Sequence, residues 1–189
     1  MLKRVNNNNT FKSMNVQIGG MDDFELGWLT GLIDGEGSFT LRIHVRKTKT
    51  AGERPRFSPQ MTITNTDEAF INRACGILHE LGIGFYRQKR QKGGKNKVQY
   101  EVMIYANGLR MLLPKIVNRL GKKREAELML EACALTKANH RRKRNGNHGG
   151  VVIAYDVLQR FQAIRMELQT LHGRQSKKLL KINLESYKP

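Results

Sequence analysis

The chain reads as an α+β domain, and three observations predict that class. Apolar residues first recur at helical spacing (Leu26, Leu29, Ile33) and then at a spacing of two (Phe39, Leu41, Ile43, Val45). The same exchange happens once more before helical spacing takes over for good, which orders the elements as helix, two strands, helix, two strands, helix, with helices appended. A length of 189 residues suits one core of ordinary size and cramps a second.

Residues 1–20 are Asn-rich, aperiodic and free of acids, so a mobile tail is expected, followed by a core over 21–136. Asp22, with Glu25 three residues on, resembles a capping box and starts a helix near Asp23. Leu26, Leu29 and Ile33 share one face of it, while Gly27 and Gly31 fall on another. Each interior glycine costs up to about 1 kcal/mol relative to alanine, so two in register call for close approach of another backbone.

After Gly37 the inward set Phe39, Leu41, Ile43 and Val45 alternates with Ser38, Thr40, Arg42, His44 and Arg46. A polar connection over 47–56 leads to a second strand, in which Phe57, Met61 and Ile63 oppose Ser58, Gln60, Thr62 and Thr64. Asp67 opens a helix over 67–81 that Gly82 stops. A second hairpin turns at Gly93-Gly94, and in its last strand Val98, Tyr100, Val102 and Ile104 oppose Lys97, Gln99, Glu101 and Met103. In its first strand either Arg87 and Lys89 or Gln88 and Arg90 face outward; the pattern does not choose. Leu109, Leu112, Leu113, Ile116 and Leu120 predict a third helix that Pro114 must start or kink. A fourth runs from about Lys122 to Leu135, and residues 137–189 hold a basic loop (137–150), an amphipathic helix ending at Gly173, and a basic tail.

Charge bounds the partner. With 34 Lys+Arg against 16 Asp+Glu, the net charge of +18 and pI near 10.3 point to a polyanion, nucleic acid above all. No stretch has the apolar length to span a membrane. Cys75 and Cys133 read as reduced core residues, and the scattered histidines make no zinc pattern. Asp34 and Glu36 close the first helix, where the helix dipole disfavours carboxylates, so a functional reason is expected for them.

The stretch Leu29-Thr30-Gly31-Leu32-Ile33-Asp34-Gly35-Glu36-Gly37 resembles the signature of the LAGLIDADG homing endonucleases. Thr30 and Gly35 stand where the signature has alanine, and Glu36 replaces its final aspartate with a longer reach. The resemblance covers roughly Asp22 to Glu131 and implies an αββαββα core whose saddle-shaped, four-stranded antiparallel sheet lies in the major groove of double-stranded DNA.

It further implies that two such helices pack side by side, with Gly27, Thr30 and Gly31 allowing the approach and Asp34 supporting the helix end or touching its partner. Glu36, with the Gly35 carbonyl, is the implied ligand of Mg2+, which Mn2+ could replace and for which Ca2+ would support binding without cleavage. Asn65 matches the family's solvent-orienting polar residue and Lys122 the basic residue that assists the scissile phosphate. The implied base-reading face comprises Ser38, Thr40, Arg42, His44, Arg46, Ser58, Gln60, Thr62, Thr64, Arg87, Lys89, Lys97, Gln99 and Glu101.

One signature supplies one of two acids, so the expectation is a homodimer that cuts both strands of a long pseudopalindromic target, leaving 3′ overhangs. Family habit adds an intron-encoded protein of a mitochondrion or chloroplast. Two competing functions belong to the same fold: a maturase binding its group I intron RNA, with the basic run 141–144 as a contact, or a DNA-binding protein that does not cut. An HNH-type nuclease built on Asn139-His140 and Asn147-His148 lacks the hairpin and helix that such a site needs.

Overall fold

The two period-two regions pair into a single sheet. The computed structural model describes residues 23–48, 52–91, 97–141 and 154–173. The 1–20 tail, the Asp22 cap, the Gly93-Gly94 turn, the basic run at 142–144 and the tail beyond 173 lie outside them. Helix α1 (Asp23–Glu36) leads into strands β1 (Gly37–Thr48) and β2 (Gly52–Asn65), then helix α2 (Glu68–Glu80). Strands β3 (Tyr86–Arg90) and β4 (Gln99–Tyr105) follow, then helices α3 (Ala106–Ile116), α4 (Lys123–Arg141) and α5 (Tyr155–Leu171), with a 3-10 turn over Val117–Arg119.

All pairings are antiparallel and the strand order is β1-β2-β4-β3. The apolar alternates Phe39, Leu41, Phe57, Met61, Ile63, Val102 and Ile104 are buried in one core with Leu29 and Ile33 of α1, Ile71 of α2, Leu109 of α3, Met129 of α4 and Phe161 of α5. Fully burying such side chains stabilises the fold by about 1.5–3 kcal/mol apiece. The helices thus cover one face, and the polar alternates form the other. Among the described residues no helix is long and apolar enough to cross a membrane. Cys133 is buried there, and burial pushes its thiol up to about 12, which leaves it inert at neutral pH.

Three stretches differ from expectation, and the first is 137–141, which continues α4 to Arg141 where a basic loop is expected. The segment 47–56 is mostly strand: β1 runs to Thr48, β2 starts at Gly52, and Pro55 and Pro59 lie inside β2. Proline is tolerated because β4 pairs with β2 only over Gln60–Asn65, leaving β2 one-sided before that. Pro114 neither starts nor breaks α3; it sits in the last turn, after which the chain tightens into the 3-10 turn. Helix α2 matches its signals: the Asp67 side chain accepts from the Ala69 N–H at 2.8 Å, and Gly82, at φ 66°, ends the helix.

Candidate active site and nucleic-acid interface

The first turn of α1 carries Asp23 and Glu25, which suit its dipole, but its last turn carries acids and no base. A remote residue supplies the missing cation. The Lys122 Nζ donates to the Gly37 carbonyl at 2.6 Å and to the Ile33 carbonyl at 3.4 Å, at the C-terminal end of α1. Asp34 reaches back: its Oδ2 accepts from the Gly121 N–H at 2.8 Å and its Oδ1 from the Lys122 N–H at 3.1 Å. Asp34 is therefore engaged within its own protomer, the helix-supporting alternative.

Glu36 is different. It is exposed, and no hydrogen bond or ion pair to it is found among the described residues. Gly35 beside it is also exposed. Gly37 permits the sharp exit from α1, because a Cβ there would stand 2.3 Å from the Ile33 carbonyl oxygen. Since Gly37 pairs with Ile63, the end of β2 with Asn65 lies at the same end of the sheet as Glu36. The Asn65 Oδ1 accepts from the Asp67 N–H at 2.8 Å, leaving its amide donors as the available end. The structure thus brings Glu36, Asn65 and Lys122 to one end of the sheet.

The glycine face of α1 is open. A Cβ at Gly27, Gly31 or Gly35 would meet nothing within 4 Å. Phe24, 65% exposed, lies on the same stripe at helical spacing, and Trp28 beside it packs on Phe70 with ring centroids 5.9 Å apart. Those aromatics escape a reading for small residues only, although the Phe24, Gly27, Gly31, Gly35 spacing marks them. Thr30 does not belong to this face: it is 4% exposed, turned into its own core, and its hydroxyl donates to the Leu26 carbonyl at 2.7 Å. That hydroxyl satisfies itself locally, so Thr30 tolerates burial where its size alone suggested an interface.

On the open face of the sheet, Ser38, Thr40, Ser58, Thr62 and Thr64 are half-buried and Arg42 and His44 exposed, while Lys97 is exposed just ahead of β4 and Gln99 half-buried at its start. Arg46 lies on β1 opposite Arg54. In β3 the choice falls against Arg87 and Lys89. They pair with Val102 and Tyr100, whose side chains face the helices, and Arg87 binds Glu68 of α2 while both cations approach the Tyr100 ring. The Arg87 guanidinium, with the Tyr100 hydroxyl, holds the Glu68 carboxyl below its usual range. The outward residues of β3 are Tyr86, Gln88 and Arg90, opposite Met103, Glu101 and Gln99.

Two further face residues are occupied. Glu101, 6% exposed, accepts from Gln88 and pairs with Arg90 at 3.2 Å, so its carboxylate is already satisfied. Gln60, 1% exposed, donates to the Thr62 hydroxyl at 2.8 Å, and its Oε1 has no partner among the described residues. Tyr105, opposite Gln60 and exposed, is an outward aromatic one step beyond Met103 on the same alternation, where the sequence reading stopped short.

Residues 23–116 match the LAGLIDADG-like domain. No curated protein matches the chain by sequence. Among solved structures, the homing endonuclease I-CvuI, solved in complex with a DNA target, is similar in fold with a TM-score of 0.61 and 18% identity, over 88% of this chain and 93% of that one. The homing endonuclease I-TnaI gives a TM-score of 0.59 and 16% identity over 86% and 97% of the two chains. The group I intron-encoded homing endonuclease I-CeuI, complexed with DNA, gives 0.60 and 13% identity over 93% and 80%. The signature helix, the αββαββα order and the domain match agree: residues 23–116 of the chain form a LAGLIDADG-like domain.

Proposed function

We propose that the protein is a site-specific homing endonuclease, intron-encoded, that makes double-strand breaks in a long pseudopalindromic DNA target as a homodimer. The observation that carries this reading is Glu36, an exposed acid without a partner among the described residues at a helix end where acids are unfavourable, one residue before the Gly37 carbonyl that the Lys122 ammonium binds. A basic protein does not place a bare carboxylate next to its DNA face without a use for it, because that charge repels phosphates.

The donors fit a hard divalent cation. They are oxygens, the Glu36 carboxylate and the Gly35 carbonyl, and among the described residues no cluster of three or more His, Cys, Asp or Glu completes a shell within one protomer. Two protomers joined along the Gly27–Gly31–Gly35 face bring two Glu36 carboxylates together, with DNA phosphates supplying the remaining oxygens. When bound, magnesium supplies water activation and charge neutralisation in phosphodiester hydrolysis. Lys122 holds positive charge near the scissile phosphate, and the Asn65 amide orients solvent.

The test is selection of cleaved sites from a random duplex library with magnesium present. A selected site with two-fold symmetry and 3′ overhangs supports the reading; wild type that binds a selected duplex but never cuts it moves the function to the maturase or DNA-binding alternative.

On that target, Arg42→Ala relaxes base preference at one position per half-site, by about 1–3 kcal/mol, because arginine reads guanine in a bidentate way. Lys97→Ala weakens all sequences alike and lowers the salt slope by roughly 1. Arg87→Ala and Lys89→Ala leave base preference unchanged, since both side chains lie on the helix side. Uniform losses at all four positions, measured by competition binding, would exclude base reading by this face.

A further inference from the structure

Lys122 is the residue through which α4 begins, for its carbonyl accepts the Ala126 N–H at 3.1 Å. Its own N–H and that of Gly121 are therefore the donors just ahead of the helix, and both are taken by the two oxygens of one remote carboxylate, Asp34. The lysine side chain then turns back to the carbonyls of Ile33 and Gly37, which bracket the Asp34–Glu36 turn. The result is a closed loop of contacts: an acid of α1 fixes the backbone that bears the lysine, and the lysine fixes the end of the helix that bears the acid. With two of its three ammonium protons held by backbone, Lys122 has one direction left for a phosphate oxygen.

We propose that Asp34 is the positioning residue for Lys122, setting its ammonium against the end of α1 beside Glu36 through the paired amides of Gly121 and Lys122. The proposal rests on the endonuclease reading above. Asparagine at 34 keeps the size but offers one acceptor oxygen, and its amide group opposes the second N–H. Misplacement of a catalytic group by a fraction of its own length costs on the order of 10- to 100-fold in rate.

The experiment is a double-mutant cycle on cleavage of the selected duplex, with Asp34→Asn, Lys122→Ala and both together, alongside DNA affinity in calcium and amide hydrogen exchange of the DNA-free protein. Asp34→Asn is expected to slow cleavage by that factor at unchanged affinity, and the double variant to be no slower than Lys122→Ala alone, because Asp34 acts through Lys122. Amide protection at Gly121 and Lys122 is expected in wild type and lost in Asp34→Asn. Should Asp34→Asn not fold, Gly121→Pro gives the same comparison: it deletes one donor without touching α1, and Leu120 ahead of it already has the extended backbone (φ −80°, ψ 134°) that a following proline requires. Losses that multiply in the double variant, or amide protection unchanged by Asp34→Asn, overturn the proposal while leaving the endonuclease reading intact. Wild type that cuts no duplex overturns both.

Discussion

Glu36→Gln is expected to leave DNA binding in place and to lower cleavage by about a thousandfold or more. Glutamine keeps the length of the side chain and its capacity to accept a hydrogen bond, and removes only the charge that holds a divalent cation. A bound cation contributes several kcal/mol to phosphodiester hydrolysis, and each 1.4 kcal/mol is about tenfold in rate. Because Glu36 is exposed and pairs with nothing among the described residues, the substitution is expected to leave the fold undisturbed. Affinity measured without metal should rise slightly, since a negative charge beside phosphates has been removed. Calcium should mimic the variant, supporting binding of wild type without cutting; I-CvuI has been solved with its target in 2 mM Ca. The measurement pairs gel-shift affinity with cleavage of one duplex, for both proteins, in magnesium and in calcium. Undiminished cutting by Glu36→Gln would falsify the assignment of this acid.

Gly31→Leu separates assembly from folding. Within the protomer a side chain at this position meets nothing within 4 Å, and replacing an interior glycine favours the helix by up to about 1 kcal/mol, so the isolated protomer should melt no lower than wild type. In the proposed dimer the same side chain would overfill the face where the two helices meet. Overpacking costs about 1–3 kcal/mol, and a two-fold interface counts it twice, so the dimer dissociation constant should rise by on the order of a hundredfold or more. Cleavage falls with it, because one protomer carries one Glu36. Sedimentation velocity and thermal unfolding on the same samples decide the matter: a wild-type protein that is monomeric at all concentrations removes the dimer, and a variant that is both dimeric and active places the interface elsewhere.

Where the sequence was informative, a physical conflict made it so. Two glycines in register and two acids at a helix C-terminus are each locally unfavourable, and both mark surfaces turned away from the core. Strand β3, Tyr-Arg-Gln-Lys-Arg, contains no such conflict. With no apolar alternation of its own, its parity is set by the register to Val102 and Tyr100 across β4, which is a tertiary fact. Thr30 and Gln60 fail for a related reason. A threonine that bonds its own helix and a glutamine folded onto the neighbouring threonine are buried by side-chain geometry that residue type does not encode. A role for Lys122 is implied only by the family resemblance, whereas its tie to Asp34 spans 88 residues and belongs to packing alone.

Under the proposed function, the unequal pairing of β2 also bears on how far along DNA one copy of the sheet would reach. β4 accompanies β2 only from Gln60 onward, so Gly52–Pro59 and their β1 partners Leu41–Thr48 project as a ribbon of two strands, eight residues each. At about 3.4 Å per residue that is roughly 27 Å, or some eight base-pair steps of a duplex. A bare two-stranded ribbon is marginal in water. This one is braced from behind by α5, whose Phe161 stacks on Phe57 with ring centroids 4.0 Å apart, and α5 lies beyond the 23–116 domain shared with the family. Footprint length and cutting chemistry therefore sit on different parts of the fold: the ribbon and its bracing helix lie at one end of the sheet and the acid at the other, so a change in the ribbon is expected to shift target length without moving Glu36.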